Sequence, residues 1–160
     1  MEKYVVVKHT PESKKLYWFF VPEELSKLVS VGSKVRCKTK RGIASGRVVC
    51  VVEGMPINNI RELVKIDRLR LSPIIGVYAN FPIKNIQIPV EYKQNLPNPL
   101  KLRKRTCEFL QNKAFDTHIS ITHEGILKDG FSAYLVAKYF GCKTLSAFCF
   151  LTTQDGEEVK

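Results

Sequence analysis

A chain of 160 residues that is 44% hydrophobic and 26% charged is not a disordered polyelectrolyte, and it has room for one ordinary domain or two small ones. Its 26 Lys+Arg against 15 Asp+Glu leave a formal net charge of +11, a surplus that points to a polyanionic partner, nucleic acid before anionic lipid. No apolar run approaches the roughly 18 residues of a membrane span, so a membrane partner is not expected.

The N-terminal half reads as short strands. Residues 3–9, "KYVVVKH", form a β-branched run, and 15–21, "KLYWFFV", form a second that ends at Pro22. "PEELSKL" (22–28) is a short helix or turn with proline at its first position, where a missing N–H costs nothing. The third strand spans 33–40 and the fourth 44–53, with Arg41-Gly42 marking a tight hairpin. So many strands in so few residues predict a small closed or half-closed β-barrel over 1–71. "NNIRELVKIDRLRL" (58–71) is ambiguous between a helix and a helix followed by a strand. Residues 72–82, with two prolines and a glycine, read as a linker with room for one strand.

The second half, 83–153, changes period. "IKNIQIP" (83–89) alternates as a strand does. At 98–112, Asn98 is the N-cap and Pro99 the first helical position, so a helix starts there. Leu102, Cys107, Phe109 and Leu110 form its packing face. Lys101, Arg103, Lys104 and Arg105 crowd its first turns, where cations oppose the helix macrodipole. Residues 118–130 read as strand, turn, strand. A helix over 130–141 has Asp129 as its cap and Phe131, Tyr134, Leu135, Tyr139 and Phe140 as its core side. A last strand (144–150) precedes a frayed tail, 154–160.

The charge is uneven. Residues 1–70 carry 15 Lys and Arg against 7 Asp and Glu, a net of +8, whereas 71–160 carry 11 against 8, a net of +3. The densest stretch is "GSKVRCKTKRG" (32–42), with five cations and no acid. As a strand it sends Lys34, Arg36, Lys38 and Lys40 to one face and Val35, Cys37 and Thr39 to the other. With Arg41 and Arg47 these are the candidate phosphate contacts. Six neutralised phosphates would give a log–log salt slope of about −5. Trp18 is the candidate base-stacking aromatic, and Lys101, Arg103, Lys104 and Arg105 are a second candidate contact.

Five cysteines with no CxxC or Cys/His metal spacing predict reduced, mostly buried thiols in a cytoplasmic protein. No metal or other cofactor is expected. His118 and His123 flank one strand and read as turn residues rather than ligands.

Two stretches resemble known families. Residues 17–53, with "VPEEL" at 21–25, "VGSKV" at 31–35 and "GRVV" at 46–49, resemble the N-terminal DNA-binding domain of the primosomal replication-restart helicase. That resemblance implies a small β-barrel that grips DNA with little base preference. With no helicase domain in these residues, unwinding is not expected. Residues 88–148 resemble the ParB/sulfiredoxin-type domain through Ile126, Leu127, Asp129, Gly130, Tyr134, Leu135, Ala137, Lys138 and Gly141. This second resemblance implies a nucleotide or phosphate at the start of the "DG" helix, near Asp129, Gly130 and Ser132. The arginines of ParB and the cysteine of sulfiredoxin are replaced by Phe131-Ser132-Ala133, so catalysis is not the expected role.

The sequence therefore reads as an α+β protein, a small N-terminal β-barrel followed by a ParB/sulfiredoxin-like domain. Its expected function is non-catalytic DNA binding or adaptor work of bacterial or phage type, directed at phosphates. One alternative is a nucleotide-dependent phosphotransferase or nuclease using Asp129 or Glu124. Another is a phage- or mobile-element-encoded inhibitor that docks on a host nucleoprotein complex.

Overall fold

The computed structural model describes residues 2–56, 59, 72–154 and 156–160. The chain divides into two compact units, Met1–Val77 with Glu157–Lys160, and Tyr78–Gly156. The ambiguous segment 58–71 lies, apart from Asn59, outside the described residues.

In the first unit, strand β1 (Lys3–Lys8) is central. It pairs antiparallel with β2 (Tyr17–Val21) on one side and β4 (Gly42–Glu53) on the other, with Val5 opposite both Phe19 and Val51. Strand β3 (Lys34–Thr39) pairs with β4 through a two-residue loop, Lys40-Arg41, closed by Thr39 opposite Gly42. A short helix, α1 (Glu23–Ser26), follows Pro22 as the sequence predicts. The strand order is β2-β1-β4-β3-β5, where β5 is Ile74–Pro82.

The run is open, which corrects the expected β-barrel. Its ends touch through one bridge, Phe20 to Pro73, where the Phe20 N–H donates to the Ser72 carbonyl at 3.0 Å. Pro73 itself faces the other way, its carbonyl accepting from the Lys38 N–H of β3 at 3.2 Å. Alternation nonetheless builds the core: Val5, Val7, Val35, Cys37 and Val77 are fully buried. One cation is part of this core. Lys3 is buried, and its Nζ donates to the carbonyls of Ser26 at 2.7 Å and Val29 at 2.6 Å and pairs with Glu53 at 3.4 Å.

In the second unit the order is β5-β8-β6-β7, with β6 at Ile119–Thr122, β7 at Leu127–Asp129 and β8 at Thr144–Phe150. Strands β6 and β7 form a hairpin, and β6 and β8 are parallel. Helices α2 (Val90–Gln94), α3 (Pro99–Asn112) and α4 (Phe131–Tyr139) complete a mixed α+β fold. The Asn98 side chain accepts from the Leu100 N–H at 2.8 Å, as an N-cap should.

Several expectations change. The stretch 72–82, read as a linker with room for one strand, does hold a strand, β5, but its Ile74, Ile75 and Val77 are fully buried in the way of a core strand. The strand expected at 83–89 is instead a 3-10 turn, Ile83–Asn85, followed by one bridge from Gln87 to Ile126. Its buried residues, Ile83 and Ile86, lie three apart, the repeat of a 3-10 turn rather than a strand. On α3 the buried residue is Glu108, while Cys107 is exposed and Leu110 is 54% exposed. On α4, Tyr139 is 85% exposed. Among the cysteines only Cys37 and Cys149 are buried, and desolvation pushes the Cys37 thiol up to about 12. The tail is not simply frayed, because Glu157–Lys160 belongs to the first unit.

Candidate functional site

The sequence-predicted cations of the first unit do share a face. On β3, Val35 and Cys37 point into the core, while Lys34 and Lys38 are exposed and Arg36 is half-buried. The ladder then adds to this row. Lys34 stands directly opposite Arg47 on β4, and Arg47 stands directly opposite Lys8 on β1. Opposed side chains lie about 5 Å apart at Cβ, where like charges destabilise a sheet. Three cations thus stand in adjoining ladder positions across β3, β4 and β1.

Along β3, each step between Lys34, Arg36 and Lys38 is two residues, about 6.6 Å, close to the rise of two nucleotides in one strand of a duplex. Lys40 and Arg41 project from the exposed hairpin tip. One Arg47 N–H is committed to the Gly32 carbonyl at 2.8 Å, which leaves the fork four further donors. Beside this row lies a cleft of about 550 Å³ lined by Lys8, His9, Lys34, Ser45, Arg47 and Val49.

Trp18 stands opposite Val6, and Val6 and Lys8 are two apart on β1, so Trp18 shares the face of the cation row. It is half-buried. Although residues 32–42 contain no acid, a distant one reaches the ribbon: Glu158 Oε1 lies 3.7 Å from Arg36 Nη1. Lys8 was not foreseen as a site residue. The only hint was its place at the end of the "VVVK" alternation, because register across strands is not written in sequence.

The second unit brings together two clusters that lie far apart in sequence. A cavity of about 460 Å³ is lined by Lys101, Lys104 and Arg105 of α3 and by Asp129, Gly130 and Ser132 at the start of α4. Tyr92, Asn98 and His118 complete its wall. Arg103 does not line it. Gly130, not Asp129, is the N-cap of α4, which corrects the expected cap, and no side chain caps this helix start. The Asp129 carboxylate instead accepts from the Gly130 N–H at 2.9 Å.

Gly130 has φ +95°, and a Cβ there would lie 2.6 Å from Ile119 Cγ2. Only glycine fits that turn. The start of α4 thus brings bare backbone and a helix dipole to this wall, beside the Asp129 carboxylate and opposite three cations of another helix. Arg105 is held in place by Glu108 at 2.8 Å, and this hydrogen bond, ahead of any other cause, lowers the Glu108 carboxyl below its usual value. Burial, then the charge of Asp129, raises the Tyr92 hydroxyl.

Glu124 lies outside the cavity, 3.8 Å from His123 Nε2. Among the described residues no group of three metal-ligating side chains converges, and no helix is long and apolar enough to cross a membrane.

No protein-family model matches the chain, and no curated protein matches it. Solved structures similar to it include a pNOB8-like ParB-N domain (12% identity, TM-score 0.44), which matches 50% of this chain and 32% of its own. A second structure of a pNOB8-like ParB N-domain matches at 15% identity and TM-score 0.44, over 51% of this chain and 30% of its own. Sulfiredoxin from Arabidopsis thaliana matches at 12% identity and TM-score 0.43, over 49% of this chain and 89% of its own. The chain thus spans about a third of the ParB-N chains it matches. The resemblance of residues 17–53 to the primosomal helicase domain has no support in these comparisons.

Proposed function

We propose that the first unit binds nucleic acid, DNA in preference, through its phosphates and with little base selectivity. The observation that carries this reading is the Lys8–Arg47–Lys34 row across three strands, continued along β3 by Arg36 and Lys38. A sheet gains nothing from like charges set opposite one another. A polyanion laid along such a row releases its condensed counterions, which favours binding there. Arg36, Arg41 and Arg47 offer forked donors to phosphate oxygens, and the lysines act as point charges. Trp18 on the same face supplies a ring for an unpaired base. Among the described residues no element is shaped and tipped to read the major groove, which favours low sequence selectivity.

The test is a binding series with single-stranded, duplex and forked DNA at several salt concentrations. Trp18 is the single tryptophan, so its fluorescence reports occupancy. Affinity should fall with salt at a log–log slope of about −5, and single-stranded DNA should quench Trp18. A salt-independent or absent signal in dilute buffer overturns the reading.

A second reading rests on the cavity of the second unit. Three cations opposite an uncapped helix start favour a phosphate-bearing small molecule. The Asp129 carboxylate is the candidate acid or base if that ligand reacts. A nucleotide titration with product analysis, repeated with Asp129→Asn, separates binding from turnover. The third reading, docking on a host nucleoprotein complex, predicts capture of a partner that survives nuclease treatment.

A further inference from the structure

The proposed DNA-binding face already has an acidic occupant. The chain leaves the first unit after Val77, builds the whole second unit, and returns as Glu157–Lys160 to pack with the first again. Within that return, Glu158 sits in a single-residue β-bridge. Its Oε1 lies 3.7 Å from Nη1 of Arg36, in the middle of the cationic row on β3. Residues 154–160, "QDGEEVK", contain three acids and one lysine. A carboxylate presented to a guanidinium has the same chemistry as a phosphate oxygen presented to it.

We propose that this acidic segment is a built-in competitor for the basic face. It holds Arg36 by a carboxylate, and nucleic acid must displace it to make the same contact. This inference rests on the DNA-binding reading above and adds to it a regulatory element. Both partners are partly solvated, with side chains 38% and 34% exposed, so the pair is weak and easily exchanged. A weak, tethered competitor suits this role, because it lowers affinity for short or non-specific anions and yields to an extended polyanion that engages several cations together. It also predicts a change in salt dependence. Arg36 neutralised by Glu158 has fewer small counterions to release than Arg36 exposed to solvent.

The test compares the full chain with Glu158→Gln and with a chain ending at Gly156, using a short single-stranded DNA across a salt series. In dilute buffer both variants should bind about threefold more tightly, and their log–log salt slopes should steepen by up to about 0.9. Circular dichroism and the melting temperature of Glu158→Gln establish that the first unit is intact. If the full chain binds DNA and both variants bind with unchanged affinity and slope, the competitor proposal is overturned while the DNA-binding reading stands. If neither the full chain nor the variants bind, both fall. If DNA is retained only by the variants, the competitor is confirmed in its strongest form.

Discussion

The two basic regions differ in how many cations they hold and in how they present them. In the first unit they lie in rows on a strand face, evenly spaced by the pleat and by the ladder. In the second they converge on a cavity, with Lys101, Lys104 and Arg105 set against the start of α4. A row matches a repeating polyanion, because each added phosphate meets another cation. A cavity matches one compact anion, because its charges share a single focus. On the proposed reading, charge count favours anions in general, whereas backbone geometry selects which anion.

The most direct way to break this comparison is to strip the row. Changing Lys34, Arg36, Lys38 and Arg41 together to alanine should lower DNA affinity by about 100-fold or more near 0.1 M salt and remove about three units of salt slope. Lys101→Ala with Lys104→Ala should cost less than tenfold for DNA while weakening nucleotide or phosphate binding by a larger factor. Titration by anisotropy for DNA and by calorimetry for the nucleotide gives both numbers. Equal effects on both ligands would dissolve the distinction.

Gly130→Ala sharpens the cavity side. It forces a Cβ to 2.6 Å from Ile119 at a φ of +95°, and should cost about 2–3 kcal/mol of stability in denaturant unfolding. It should leave the DNA affinity of the first unit little changed once the protein is folded.

Lys3 and Lys38 separate a cation used for folding from one proposed for binding. Lys3→Ala strands two carbonyls that the buried Nζ now satisfies and should cost about 2 kcal/mol. Lys38→Ala, on the exposed face, should change stability by less than about 0.5 kcal/mol. Thermal melts of the two variants decide it.

The smallest effect concerns Glu108, which fixes Arg105 at the cavity rim. Its carboxyl is lowered in the folded state, so its contribution is fully present above the ordinary carboxylate value and is lost as pH falls through the folded value. Glu108→Gln should therefore be less stable by about 1 kcal/mol at pH 7, with the gap to wild type constant down to about pH 5 and closing in more acidic solution. A gap independent of pH would assign the loss to packing rather than charge.

Sequence by itself determined the local pieces. Alternation on 33–40 sent Val35 and Cys37 inward and the lysines outward, and Asn98-Pro99 fixed the start of α3, because a strand pleat and a helix cap are set by near neighbours. Tertiary structure decided what those pieces meet. Lys8 and Arg47 joined Lys34 through register across strands, and Lys101 and Gly130 met across a cavity through the packing of the second unit. Glu158 reached Arg36 after 121 intervening residues. The physical reason is range: a residue's conformation answers to its own few bonds, while its partners are chosen by which distant surfaces can be buried together.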